Sequence, residues 1–107
     1  MGKVMISQPM AGKTDEEIKT AREAATKILE KNGYEVVNTL FDGETFTQEN
    51  LKEQGVVQSP LYFLAKSLEK MSECNAVYFC AGWDEARDCK IEHNAAVEYG
   101  LDVIYEK

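Results

Sequence analysis

Carboxylates with the potential for chemistry are concentrated in one stretch, GWDEARDCKIEHNAAVEYG (82–100), which follows an apolar run. A carboxylate in a pocket can act as a nucleophile or as a proton donor. On a solvated helix face it has no such role. Asp88 precedes Glu92 by four residues, so the two side chains share one face of the predicted helix. The remaining acidic residues of the stretch are Asp84, Glu85 and Glu98.

A second unusual stretch, SQPMAGKT (7–14), follows the first apolar segment. Gly12, Lys13 and Thr14 fit the end of a phosphate-binding P-loop, but Ser7 stands where that pattern requires its first glycine. The mismatch argues against nucleoside triphosphate hydrolysis. The stretch still opens a helix, and backbone N–H groups there can hold a phosphate or a ribose.

Strand-like and helix-like segments alternate along the chain and must position these two stretches. We predict strands over Lys3–Ser7, Tyr34–Asn38, Asn75–Ala81 and Leu101–Glu106. Helices are predicted from the Thr14 N-cap to Asn32, near Glu49–Gln54, over Pro60–Met71, and from the 82–86 turn to Gly100. The alternation predicts one α/β domain over residues 1–107, a Rossmann-like or flavodoxin-like three-layer sandwich with a four-stranded parallel sheet in the order 2-1-3-4.

In such a sheet, ligands bind beyond the carboxyl ends of the strands, where the strand order reverses. The loops that follow the first and third strands should therefore meet at one cleft. Trp83 lies in the second loop and has two interpretations, a packing lid over helix ends or a wall for a stacked base. His93 does not share a direction with Glu92, and we expect a lone surface histidine.

The composition excludes several classes of partner. A net charge of −7 repels nucleic-acid backbones, and no apolar run is long enough to span a membrane. The chain has three cysteines, an odd number, and no signal-peptide pattern precedes them. Both observations fit a compartment that keeps thiols reduced, so we expect a cytoplasmic protein. We expect no metal site, since Cys74 and Cys80 bracket a strand and would lie roughly 20 Å apart.

Two motifs give the chain a specific resemblance. ISQPMAG (6–12) and CNAVYFCAGWDEARDCKIE (74–92), followed by Ala95, Ala96 and Gly100, resemble the small bacterial and phage members of the nucleoside 2-deoxyribosyltransferase superfamily. The resemblance implies a nucleoside or nucleotide ligand and no cofactor. It implies that Glu92 attacks C1′ of a deoxyribose and expels the base. We therefore predict that Glu92 and Asp88 face the cleft between the first and third strands, and that partial burial and the nearby Asp88 raise the pKa of Glu92 modestly. The substrate-binding residues that it implies are Ser7, Gln8, Pro9, Met10, Gly12, Gly82, Trp83 and Asp88.

The chain departs from the pattern of these proteins at several positions. Asp88-Cys89 replaces a Gly-Ala pair, and Asp88 should repel a 5′-phosphate. Ser67 replaces an acid, so Asp84 becomes the predicted proton donor, although it could equally be a helix N-cap. These departures leave two functions open. One is an N-glycosidase or 2-deoxyribosyltransferase-like enzyme, and the other is a non-catalytic protein that binds a nucleotide-like ligand.

The helix predicted from Pro60 has more apolar residues than one sheet face can cover. Leu61, Tyr62, Phe63 and Leu64 follow one another directly. Exposed apolar patches of this kind mark interfaces, so we predict a homodimer or a larger homo-oligomer. The resemblance implies, in addition, that a neighbouring chain completes the pocket.

Overall fold

A computed structural model describes residues 2–37 and 48–107 as an α/β protein with helices on both sides of a parallel sheet. The strands are β1 (Lys3–Ser7), β2 (Glu35–Val37), β3 (Ala76–Phe79) and β4 (Asp102–Tyr105). The helices are α1 (Asp15–Lys31), α2 (Gln48–Glu53), α3 (Ser59–Met71) and α4 (Arg87–Glu98), with a 3-10 turn at Trp83–Glu85. Asn38 and residues 39–47 of the predicted loop lie outside the described residues.

The sheet order is β2-β1-β3-β4, and every pairing is parallel. Both the fold class and the strand order predicted from the sequence are therefore confirmed, and the architecture is consistent with a Rossmann-like fold. The central strand β3 is buried at every position, whereas the edge strand β4 is exposed at both ends. This difference is typical of a parallel sheet that is covered by helices on both faces.

The alternation of side chains along β1 assigns its residues to the two faces of the sheet. Val4 and Ile6 pack with Ala25 and Leu29 of α1. Met5 belongs to the opposite core, which includes Met71 of α3 and Ala96 of α4. Ser7 has the same phase as Met5, so the strand directs the Ser7 side chain toward the layer that contains α4.

Helix α1 begins where its sequence predicts. Thr14 is the N-cap, and Glu17 completes the capping box by accepting from the Thr14 backbone N–H. The helical spacing of Ile18, Ala21, Ala25, Ile28 and Leu29 predicts an apolar stripe along this helix. The buried stripe is narrower than this prediction, because Ile28 is half exposed although Leu29 is buried. None of the helices in the described ranges is long and apolar enough to cross a membrane.

Candidate functional site

A cavity of about 630 Å³ opens at the carboxyl ends of β1 and β3. Its walls come from the end of β1 and the loop after it, from α1 and α3, and from the start of α4. This volume lies within the usual range for small-molecule sites, and the position is the one at which parallel sheets bind ligands. The predicted meeting of the loops after β1 and β3 is thereby confirmed.

Glu92 lies in this cavity and not on the solvated face of α4. Its side chain is 6% exposed, and Ser7 Oγ donates a hydrogen bond of 2.6 Å to Glu92 Oε1. The two residues are brought together by elements that are 85 positions apart in the chain. The prediction that Glu92 faces the cleft between β1 and β3 is confirmed, and Ser7 is its direct partner.

The surroundings of Glu92 act on its ionisation in two directions. Burial raises the pKa of Glu92 to about 7, and the nearby Asp88 carboxylate acts in the same sense. The Ser7 hydrogen bond and the positive charge of Arg22 oppose this rise because both favour the carboxylate form. The direction and the causes of this rise are the predicted ones, but the rise is larger than the modest one that we predicted, because the Glu92 side chain is almost fully buried. The site therefore holds a carboxyl group that is close to half ionised at neutral pH.

Arg22 is a cavity residue that sequence reasoning missed. Its Nε donates to Gln8 Oε1 at 2.8 Å, and its Nη2 donates to the Ile6 carbonyl at 3.4 Å. Burial lowers the pKa of Arg22, while Cys80 and Glu92 act in the opposite direction. Only its position in the sequence could have indicated this role. Arg22 lies at helical spacing between Ile18 and the buried Ala25 and thus interrupts the apolar stripe of α1.

The loop after β1 contributes Gln8, Pro9 and Met10 to the cavity wall, as predicted. Gly12 does not line it; its φ of 77° permits the turn in which the Lys13 N–H donates to the Met10 carbonyl. Gly82 also lies outside the wall, with φ at 89°. At both positions the positive φ favours glycine, because a residue with a Cβ atom is strained in this conformation.

Trp83 packs in an aromatic cluster next to the sheet and does not line the cavity. Its ring is stacked on His93 at a centroid distance of 4.1 Å and also packs against Tyr105. His93 Nε2 lies 2.6 Å from Tyr105 Oη. The structure favours the packing interpretation of Trp83, and the prediction of a lone surface histidine is wrong because His93 is half-buried with aromatic partners.

The acidic residues at the start of α4 separate into two groups. Asp84 is exposed in the 3-10 turn, outside the cavity wall, and the N-cap of α4 is Ala86. Asp84 is therefore neither a cavity carboxylate nor the cap of this helix. Glu85 and Asp88 do line the cavity, and Asp88 accepts from Arg87 Nε at 3.2 Å.

The chain thus has a Rossmann-like fold, with a buried carboxyl group in a cavity at the carboxyl ends of its strands. Residues 2–105 match the family described as "Domain of unknown function (DUF4406)", and the chain belongs to that family. No curated protein and no solved structure matches the chain.

Proposed function

We propose that this chain breaks the N-glycosidic bond of a nucleoside, with Glu92 as the nucleophile. The observation that carries the proposal is the Glu92 carboxyl, which is 6% exposed in a ligand-sized cavity and oriented by Ser7. The resemblance to nucleoside 2-deoxyribosyltransferases assigns the same residue to attack on C1′. An oriented carboxylate can stabilise an oxocarbenium-like state and then form a covalent sugar ester.

The reaction has two steps in this proposal. In the first, a Glu92 oxygen bonds to C1′ while the C1′–N bond breaks; the electron pair leaves with the base, which takes a proton from a water molecule and leaves a hydroxide ion. In the second, the hydroxide oxygen attacks C1′ and the sugar–Glu92 bond breaks, which restores the Glu92 carboxylate. A second base in place of hydroxide gives transfer instead of hydrolysis. No cofactor is needed.

Asp84, which we predicted as the proton donor, does not line the cavity and has no role in this proposal, whereas Asp88 does line it. One helical turn separates Asp88 from Glu92, so their side chains share the face of α4 that lines the cavity. The Asp88 charge also disfavours a 5′-phosphate at this end of the cavity. The proposed substrate is therefore an unphosphorylated nucleoside.

A non-catalytic binding protein is the second candidate. The observation that favours it is Ser67 of α3, which lines the cavity where the resemblance places an acid. A protein that lacked the acid would retain the cavity and its ligand without the chemistry.

Incubation with a panel of deoxynucleosides and their 5′-monophosphates, followed by chromatography for free base, distinguishes the two functions. The enzyme releases base from at least one nucleoside, Glu92→Gln abolishes the release, and ligand binding survives. Glu98→Gln is the matched control, since Glu98 is an exposed carboxylate on the same helix. Binding without base release supports the second candidate, and base release by Glu92→Gln contradicts the proposed nucleophile.

We also propose a homodimer in a reducing cytoplasm. Leu61 of α3 is 62% exposed and Val57 is 89% exposed, which leaves apolar surface for a second copy to cover. The three cysteines are free and buried, as expected in a compartment that keeps thiols reduced.

A further inference from the structure

The guanidinium of Arg22 contacts the chain on both sides of Ser7. One nitrogen donates to the Ile6 carbonyl at 3.4 Å, and another donates to the Gln8 side chain at 2.8 Å. Ser7, the residue between them, donates to Glu92. A planar guanidinium can bind two acceptors in a fixed geometry, which an ammonium group cannot.

Gln8 fixes this arrangement to α1 at a second point. Its side chain is 7% exposed, and its Nε2 donates to the Ile18 carbonyl at 3.0 Å while its Oε1 accepts from Arg22. Ile18 and Arg22 lie one turn apart on α1. The end of β1 is thus held to one helix by two side chains that bond to each other, and a shift of this end would move Ser7 away from Glu92.

The charged and titratable groups around Glu92 come from several elements. The groups on α4 and before it are Glu85, Arg87, Asp88 and Cys89, and Cys80 follows β3. Burial raises the pKa of both the Cys80 and Cys89 thiols to about 11, so neither carries charge at neutral pH. The Arg87 side chain is 72% exposed, whereas the Arg22 side chain is half-buried. Solvent therefore screens the Arg22 charge less than the Arg87 charge.

We propose that Arg22 is a positioning residue of this site, which holds both chain neighbours of Ser7 and places a half-buried positive charge in the cavity that contains Glu92. The proposal rests on the proposed function, because only that function gives the Glu92 carboxylate a catalytic role. Its physical content, the coupling of Arg22 to Glu92, can be measured in the resting protein whether or not the protein releases base.

The test is a carbon-detected NMR titration of the glutamate side-chain carboxyls, with the Glu92 signal assigned from Glu92→Gln. Arg22→Met removes the charge and the donors at similar length. We expect the Glu92 midpoint to rise above about 7 by roughly half a pH unit, which is below the roughly 1–3 units that an opposite charge in direct contact produces. Arg22→Lys keeps the charge and should shift the midpoint less.

Arg87→Met is the matched control, because it removes a cation from the same cavity at an exposed position where solvent screens the charge. We expect its effect to be smaller than that of Arg22→Met. A folded Arg22→Met protein with an unchanged Glu92 midpoint overturns the proposal, as does an equal shift in Arg87→Met.

Gln8→Met provides a second route if Arg22→Met does not fold. This substitution removes the oxygen that accepts from Arg22 Nε and the hydrogen bond to the Ile18 carbonyl, but the Arg22 charge remains. The proposal predicts an upward shift of the Glu92 midpoint, because the guanidinium is released from its fixed position. A folded Gln8→Met protein that titrates like the wild type contradicts the positioning role. Absence of base release in the wild type would instead count against the proposed function alone.

Discussion

Replacement of Glu92 by glutamine should stabilise the folded protein at neutral and alkaline pH. The pKa of Glu92 is raised from 4.5 to about 7 by burial and by Asp88. A folded-state pKa above the unfolded value means that the native protein binds the proton more tightly, so stability is lost as pH rises from about 4.5 to about 7. Glutamine has nearly the same shape, remains neutral, and can accept from Ser7.

The size of the effect follows from the shift. One pKa unit corresponds to about 1.4 kcal/mol, so the full cost of an ionised Glu92 is about 3 kcal/mol above pH 7. Between pH 5 and pH 8, the stability advantage of Glu92→Gln over the wild type should grow by about 2–3 kcal/mol. For a domain of this size, that is a difference in Tm on the order of 10 °C.

Urea unfolding of both proteins at pH 5 and pH 8 measures this growth directly. Glu98→Gln, on the exposed side of α4, is the control and should change stability by about 0.5 kcal/mol or less at either pH. An advantage of Glu92→Gln that is the same at both pH values would refute the reasoning, because it would show that the Glu92 carboxyl is not desolvated in the folded protein.

Three further predictions concern the cavity and the assembly. Ser7→Ala removes the hydrogen bond that favours the charged form, so the NMR midpoint of Glu92 should rise above about 7; a fall would contradict the assigned role of Ser7. Asp88→Asn should lower that midpoint and improve binding of nucleoside 5′-monophosphates in calorimetry, whereas unchanged selectivity would show that Asp88 does not exclude phosphate. Light scattering should show a dimer at tens of micromolar, the order of magnitude for ordinary specific association, and Leu61→Glu should give a monomer; a wild-type monomer would reject the predicted assembly.

The architecture could be predicted because local signals agree with the global fold. Lys3–Ser7 is a short apolar run followed by a turn, and the Thr14–Glu17 capping box determines where α1 begins. The alternation of such segments leaves few topologies for a parallel sheet, and the observed strand order is the predicted one. The position of Glu92 followed from this topology and its spacing on α4 only together with the resemblance of the 74–92 motif, because a glutamate on a helix is otherwise expected on the solvated face.

The details of the site depend on contacts that local patterns do not contain. Arg22 acts through Gln8, at a separation of 14 residues, and could be recognised only as a cation within an apolar stripe. His93 is covered by Tyr105 of the edge strand, which the sequence around His93 does not indicate. Asp84 was misplaced because a 3-10 turn precedes α4 and moves the helix N-cap to Ala86.

The proposed nucleophile is tested most directly by capture of the sugar on Glu92. A 2′-fluoro-2′-deoxynucleoside serves as the probe, because the fluorine destabilises an oxocarbenium-like state and slows hydrolysis of the sugar ester. We predict that mass spectrometry of the intact wild-type protein shows a mass increase of one fluorinated sugar, located on the peptide that contains Glu92. Glu92→Gln should show no increase. Base release from ordinary deoxynucleosides without any adduct, or an adduct on another residue, would contradict the account.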